Sequence, residues 1–335
     1  MMKKCVNKAG FDMGKSAEAT NIADVMVIGS GPAGYTAAIY AARAGRVTHL
    51  ITGAQQGGQL TITSSIENYP GFASSISGPE LMEQMRQQVE SMGVKIICDT
   101  IASVDFPILA DFSGKLFKAV GESGTVYESK TVIIAIGAGA RWLGIPGETE
   151  YRGRGVSACA TCDGFFFRNK DVAVIGGGNV AVEEAIFLTN FAKSVTLIHR
   201  RDELRAEKIL QKRLFVNPKV TVVWDTIVSE IEGDGNRVTR LKLRDTKTNE
   251  ISYKELDGVF VAIGHQPNTA IFKGKIDLDS SGYIITKAGT VKTSLNGIFA
   301  AGDVCDPIYR QAITSAGQGC MAAIEADRFL ASKGI

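Results

Sequence analysis

The 335-residue sequence predicts an α/β protein built from two Rossmann-like domains, one inserted into the other. Two glycine fingerprints and two apolar runs predict it. Gly29-Ser30-Gly31-Pro32-Ala33-Gly34 and Gly176-Gly177-Gly178-Asn179-Val180-Ala181 each stand between a short apolar stretch and a helical pattern. In such a turn the first glycine permits the tight bend, the second lets a pyrophosphate approach the backbone, and the third position lets helix pack on strand. The helix N-terminus then faces the anion, so both sites are expected to bind dinucleotides. Each fingerprint is echoed later by an apolar run ending in glycine, Thr131-Val132-Ile133-Ile134-Ala135-Ile136-Gly137 for the first and Gly258-Val259-Phe260-Val261-Ala262-Ile263-Gly264 for the second. Runs of that kind are buried strands that reach a ligand at their carboxyl ends.

In order, Val25-Met26-Val27-Ile28 is the first strand, and an Ala-rich helix follows its fingerprint. The next strand, residues 48–51, ends at Thr52-Gly53, where an acidic residue ordinarily receives the adenosine ribose. Gly57-Gly58-Gln59 is a flexible turn suited to close ligand approach. Residues 79–93 have the spacing of an amphipathic helix and residues 94–98 that of a strand, with Cys98 in the core. After the first echo, residues 141–153, with Gly144, Pro146 and Gly147, cross to the second domain.

There, residues 171–175 form the strand before the second fingerprint, and a helix begins at Val182. Residues 195–198 form the next strand, whose end carries His199-Arg200-Arg201, with Arg205 one turn later. Cations stand where NAD calls for a carboxylate, and a 2′-phosphate needs cations, so NADP specificity is expected. Alternation through Arg240-Leu241-Lys242-Leu243 leads to the second echo, and from Gly282 the chain returns to the first domain. The return carries a strand into Gly302-Asp303-Val304, and Tyr309-Arg310-Gln311-Ala312 opens an Ala/Gly-rich helix. A carboxylate on such a turn accepts hydrogen bonds from sugar-like hydroxyls, and the helix start faces an anion or an electron-rich ring.

Between the two fingerprints lies Cys159-Ala160-Thr161-Cys162-Asp163. A disulfide closing so short a loop stabilises by roughly 2 kcal/mol, against about 4.7 kcal/mol for a loop of ~100 residues. Stabilising the fold is a poor reason to have it; a labile, readily reduced pair is the expected use. Zinc is not expected, because it takes four ligands, and three separated histidines with no second cysteine pair do not supply them.

Composition narrows the class. A formal net charge of +2, without a basic block, argues against a nucleic-acid binder. Cys5, Cys98, Cys305 and Cys320 are isolated, which is no secreted disulfide framework and favours a reducing, cytoplasmic compartment. The first residues lack the apolar centre of a signal peptide and read as a loose tail, and no apolar run is long enough for a membrane span.

Taken together, the two fingerprints, the Cys159 to Asp163 motif between them, His199-Arg200-Arg201, and Ala301-Gly302-Asp303 with Arg310-Gln311-Ala312 resemble the low-molecular-weight thioredoxin reductases, over residues 24–330. The resemblance implies a homodimeric flavoprotein with a tail (1–23), an FAD domain in two parts (24–140 and 271–335) and an inserted NADPH domain (141–270). It places FAD on Gly29, Ser30, Gly31, Pro32, Ala33 and Gly34, on Thr52, Gly53, Ala54, Gln55, Gln56, Gly57, Gly58 and Gln59, on Asn68, and on Gly302, Asp303, Val304, Arg310, Gln311 and Ala312. NADPH falls to Gly176, Gly178, Asn179 and His199, with Arg200, Arg201 and Arg205 at the 2′-phosphate.

Cys159 and Cys162 become the redox pair and Asp163 its acid/base, passing electrons from NADPH through FAD to oxidised thioredoxin. Domain rotation about residues 137–139 and 264–267 is expected between half-reactions. The alternatives are a related flavin-dependent NADPH disulfide reductase acting on another redox protein, or a non-catalytic NADP/FAD sensor, which would have no need of the dithiol. Phe165-Phe166-Phe167 is expected in the core, the alternative being a thioredoxin-docking surface, and Cys305 and Cys320 are expected to be unreactive, the alternative for Cys305 being a place near the flavin beside Asp303. Arg152 and Arg154 are read either as aids to an acidic partner surface or as a solvated loop.

Overall fold

The computed structural model describes residues 22–63, 65–107 and 116–335; Cys5 and residues 1–21 of the expected tail lie outside the described residues. The chain divides into two units, the first comprising the described residues up to Gly139 together with Gln266–Ile335, the second Ala140–His265.

The first unit opens with β1 (Ile22–Ile28), α1 (Pro32–Arg43), β2 (Thr48–Ile51), α2 (Gly78–Ser91) and β3 (Lys95–Ile97). Next come β4 (Ile101–Asp105), β5 (Phe117–Gly121), β6 (Val126–Ile134) and the short β7 (Ala138–Ala140), where the chain crosses. The second unit holds β8 (Val156–Ser157), α3 (Ala160–Asp163), β9 (Asp171–Ile175), α4 (Asn179–Leu188), β10 (Ser194–Ile198), α5 (Lys208–Phe215) and β11 (Val220–Val223). β12 (Thr226–Gly233), β13 (Val238–Asp245), β14 (Ile251–Glu255) and β15 (Gly258–Val261) complete it. The chain returns through β16 (His265–Pro267) to β17 (Ile298–Ala300) and α6 (Ala312–Ser332).

In the first unit the sheet runs β3-β2-β1-β6-β5-β4, with β17 added on β6. β1 lies parallel to both β2 and β6 and is covered on both faces, which is why its sequence is a continuous apolar run. Val25 and Val27 face a core with Tyr35, Leu50 and Ala322, while Met26 and Ile28 face one with Phe117, Val132 and Phe272. β6 changes partner along its length. It pairs antiparallel with β5 at first, and then parallel with β17 at Val132 to Ile134, so the C-terminal segment completes the sheet begun by the N-terminal one.

α2 begins where Ser77 Oγ accepts from the Glu80 amide at 3.3 Å, with proline in the first turn, and it stops before Gly93 (φ 77°). Cys98 is a correction: β3 ends at Ile97, and Cys98 beyond it is exposed rather than in the core. Packing of this edge strand covers too little of the chain to bury the residue after it.

In the second unit β11-β10-β9-β15-β8 is wholly parallel, and β12-β13-β14 is antiparallel. Ala173, Ile175 and Ile198 of the parallel sheet share a core with Val228, Ile231 and Leu241 of the antiparallel one. Val172, Val174 and Leu197 on the opposite face pack against α4 through Ala181, Val182, Ala185 and Leu188. Among the described residues no helix is long and apolar enough to cross a membrane.

Candidate active site

In the first unit the three fingerprint glycines do different jobs. Gly29 has φ 109°, and a Cβ there would lie 2.3 Å from the Ala135 carbonyl oxygen. One on Gly34 would lie 1.9 Å from the Gly29 oxygen, so helix and turn touch through that position. A Cβ on Gly31 would meet nothing within 4 Å, which leaves the backbone at the start of α1 open to an anion.

Buried Ser30 ties the turn after β2 to this opening: its Oγ donates to the Thr52 carbonyl at 2.8 Å and accepts from the Gly57 amide at 3.0 Å. Thr52 Oγ1 donates to the Gly53 carbonyl at 3.0 Å, and a Cβ on Gly58 would lie 3.3 Å from Gly31 Cα. Ala54 and Gln55 are exposed, Gln56 hydrogen-bonds the buried Tyr35, and Gln59 Nε2 donates to the Ala138 carbonyl.

The C-terminal segment arrives at the same place. Gly302 (φ 82°) would put a Cβ 3.0 Å from Ala33 Cβ, and its amide donates to Gln318 Oε1 at 2.7 Å. Burial pushes the Asp303 carboxyl up to about 6, and Ser315 Oγ donates to its Oδ1 at 2.9 Å. Val304 is fully buried behind that turn. Asn68 Nδ2 donates to Gln311 Oε1 at 3.3 Å; Gln311 caps α6 at Ala312, and Arg310 before it holds φ 48°. These residues fit a dinucleotide with a sugar-like chain: an open helix start, and a carboxylate poised on an adjoining turn.

The second unit repeats the cradle with one change. A Cβ on Gly176 would lie 2.4 Å from the Ala262 carbonyl oxygen and 2.6 Å from Ala181 Cβ, so alanine serves where Gly34 serves in the first unit. A Cβ on Gly178 would meet nothing within 4 Å. α4 starts at Asn179, earlier than the expected Val182, because the Val182 amide already donates to the Gly178 carbonyl at 3.2 Å. Arg200, Arg201 and Arg205 are exposed and form no ion pair among the described residues, while the Arg205 amide donates to the Gly177 carbonyl at 2.8 Å. Three exposed guanidiniums, one of them on a residue whose amide is tied to the glycine turn, suit a phosphate monoester.

His199 does not join them. It is buried, a Cβ on Gly177 would lie 2.1 Å from its ring, and burial lowers its pKa, so this imidazole forms a neutral floor beneath the glycine turn.

Cys159 and Cys162 are joined in a disulfide with Cα atoms 5.3 Å apart. The turn is held by backbone contacts: the Cys159 amide donates to Ser157 Oγ at 3.0 Å, the Ala160 amide to Glu184 Oε1 at 3.4 Å, and the Asp163 amide to the Cys159 carbonyl at 3.1 Å. Cys162 is exposed and Cys159 half-buried. Burial raises the Asp163 carboxyl above the ordinary carboxylate range, moderated by the Ser157 hydroxyl. The site thus offers an accessible disulfide beside an acid that keeps its proton to higher pH than usual.

The neighbouring phenylalanines depart from expectation. Only Phe167 enters the core, edge-on to Phe260 at 5.2 Å; Phe165 and Phe166 are exposed, because the short 3₁₀ turn of Gly164–Phe167 sends consecutive side chains in different directions. Arg152 stacks on Trp142 at 3.9 Å, and Arg154 donates through Nη1 to the Gly235 carbonyl at 2.8 Å, so both brace their own unit. Cys305 is pushed up to about 12 by burial and donates to the Gly302 carbonyl at 3.4 Å, which keeps it inert; Cys320 is half-buried. No group of three or more metal-ligating side chains occurs among the described residues.

Ser157, Glu184, Ser315 and Gln318 escaped the sequence reading. Ser315 and Gln318 carried a faint signal, polar residues at helical spacing after Gln311 in an otherwise Ala/Gly-rich helix. Ser157 and Glu184 carried none.

Residues 23–319 match the pyridine nucleotide-disulphide oxidoreductase family. The chain is 59% identical over 308 residues to the thioredoxin reductase of Rickettsia bellii, covering 91% of this chain and 97% of that one. It is 51% identical over 314 residues to the thioredoxin reductase of Streptomyces coelicolor, covering 93% and 95%. The crystal structure of thioredoxin reductase from Streptococcus pyogenes aligns with a TM-score of 0.88 at 44% identity, covering 94% of this chain and 100% of that one. With both cradles, the disulfide and near-complete alignment in agreement, the chain belongs to the pyridine nucleotide-disulphide oxidoreductase family and, within it, to the thioredoxin reductases.

Proposed function

We propose that this oxidoreductase passes electrons from NADPH by way of FAD to the Cys159–Cys162 disulfide, and from the reduced pair to the disulfide of thioredoxin. The observation that carries the reading is the accessible disulfide held on a braced turn beside Asp163. The flavin and nicotinamide, when bound, turn a two-electron hydride donor into a reductant of sulfur. Gly31, the 52–59 turn, Asn68, the Asp303 turn and Arg310 to Ala312 would hold FAD. Gly176, Gly178 and Asn179 would hold NADPH, with the three guanidiniums on its 2′-phosphate.

Two electrons open the Cys159–Cys162 bond to a pair of sulfurs that needs one proton, and Asp163 stands ready to donate it. One thiolate then attacks a sulfur of the substrate disulfide, forming a mixed disulfide and releasing a substrate thiolate, which takes a proton. The second enzyme thiol loses its proton and attacks the mixed disulfide, which restores Cys159–Cys162 and frees the second substrate thiol. Disulfide and dithiol have exchanged, and the protons balance.

The purified protein is expected to be yellow, to bleach with NADPH, and to oxidise NADPH only when thioredoxin is added. Cys159→Ser or Cys162→Ser should lower that turnover at least 100-fold while bleaching persists; turnover surviving either change overturns the reading.

The positive φ of Gly137 (66°) and Gly264 (109°) supports rotation of the units at the crossings between half-reactions. Exposed Tyr40 on α1, with Ile313, Met321 and Ile324 on α6, forms an apolar face suited to a second copy of the chain in a homodimer. Sedimentation as a monomer would refute that dimer. The isolated thiols favour a reducing, cytoplasmic setting.

A further inference from the structure

The end of β10 carries the guanidiniums, and the end of its neighbour β11 carries an indole. Trp224 follows Val223, and the pairing of Ile198 with Val223 sets it level with His199 at the carboxyl edge of the parallel sheet. Its ring meets the His199 ring edge-on at 6.3 Å and the Phe215 ring, at the end of α5, at 6.2 Å, yet it stays half-buried. We propose that Trp224 forms the adenine subsite of the second unit, its indole taking one face of the purine whose ribose bears the 2′-phosphate. This rests on the NADPH reading of that unit given above.

The order of the strands leads to this position. In an open parallel sheet a nucleotide lies outside the carboxyl ends of the strands, with its pyrophosphate at the helix that follows the glycine turn. With the pyrophosphate at the start of α4, after β9, and the 2′-phosphate at the arginines after β10, the base on that ribose falls at β10 or the next strand out. That strand is β11, the edge of the sheet.

The turn that presents the indole is strained and firmly held. Asp225 has φ 48°, a left-handed conformation that residues with a Cβ seldom adopt. Its amide donates to the Arg201 carbonyl at 3.2 Å, its carbonyl accepts from the Thr246 amide at 2.6 Å, and its Oδ2 accepts from Lys247 Nζ at 2.7 Å. The Thr226 amide donates to the His199 carbonyl at 3.0 Å, so the backbone on the far side of Trp224 is tied to the segment that bears the arginines. Strain fixed in this way gathers where a ligand must be met in one geometry.

A second sign of a ligand is polar. His199 Nε2 is buried with no hydrogen-bond partner among the described residues, and its ring borders both Gly177 and Trp224. Buried polar atoms are seldom left unmet, and this one is met when a nucleotide brings its own polar groups. Packing against α5 is a poorer account of the indole, because Phe215 is itself exposed and the pair leaves ring surface in water. A purine laid on that surface covers it, as aromatic side chains cover nucleic-acid bases.

The test is isothermal titration calorimetry of adenosine 2′,5′-bisphosphate into the full-length flavin-loaded protein, with thermal unfolding of each variant to show that it is folded. Trp224→Leu keeps apolar bulk beside Phe215 but has no stacking face, and should weaken binding about tenfold, or ~1.4 kcal/mol. Trp224→Phe should bind within about twofold of the unaltered protein. The salt dependence should be the same in both, because the indole carries no charge, whereas Arg200→Ala should flatten it. Trp142 and Trp224 are the two tryptophans, so Trp142→Phe leaves Trp224 as the single emitter, and the bisphosphate should quench it. Equal affinity in Trp224→Leu, or no quenching in Trp142→Phe, overturns the proposal and leaves the phosphate site in place. If adenosine 5′-monophosphate binds as tightly as the bisphosphate and both depend on Trp224, the preference for NADPH falls and the adenine subsite stands. If the unaltered protein binds neither, both fall.

Discussion

Asp163 shows how much one side chain gains from its setting. A carboxyl with an ordinary pKa is ionised at neutral pH and has no proton to give, but burial favours the neutral form, and the Asp163 carboxyl lies above the ordinary range. Its acid form therefore persists to higher pH, and is lost as pH rises through the raised pKa. Asp163→Asn is expected to slow reduction of thioredoxin about 100-fold and to leave bleaching by NADPH unchanged. Stopped-flow measurement of each half-reaction checks this, and equal loss in both would count against the acid role. The Cys159–Cys162 disulfide was legible because its chemistry lies in residue type at short spacing. Cys98, Phe165 and Phe166 were misread because burial depends on what packs over a residue, and an apolar or aromatic side chain in sequence says nothing of that.

At the scale of elements, the fingerprint turn divides its labour by position. Gly34→Ala would drive a Cβ to 1.9 Å from a backbone oxygen, whereas Gly31→Ala would place one in open space. The first is expected to cost about 3 kcal/mol of stability. The second should cost under about 0.5 kcal/mol yet lower the flavin content of the purified protein, since its methyl would occupy the ligand's approach. Thermal unfolding of flavin-free protein and the visible absorbance of the purified variants separate the two; equal loss of stability would contradict the division. β1, β2, β9 and β10 were readable because parallel strands buried on both faces leave an unbroken apolar run. The start of α4 was missed, since Asn179-Val180-Ala181 reads as well for a turn as for a first helical turn.

For the whole molecule, two units joined by two crossings must serve one electron path, and rotation at Gly137 and Gly264 is the proposed means. A short bifunctional crosslink between the units is expected to abolish thioredoxin-dependent NADPH oxidation while leaving one half-reaction measurable in rapid mixing. Full turnover after crosslinking would exclude rotation. The sequence alone determined two nucleotide folds, a sulfur couple and a preference for a phosphorylated nicotinamide, because each is written in neighbouring residues whose spacing has a direct steric or electrostatic meaning. Only the tertiary structure decided that Gln318 and Ser315 brace the Asp303 turn, that Ser157 and Glu184 hold the disulfide's backbone, that His199 lies under its glycine turn, and that Trp224 meets it edge-on. Those facts are set by burial, by side-chain direction and by the meeting of segments distant in the chain, which no local pattern carries.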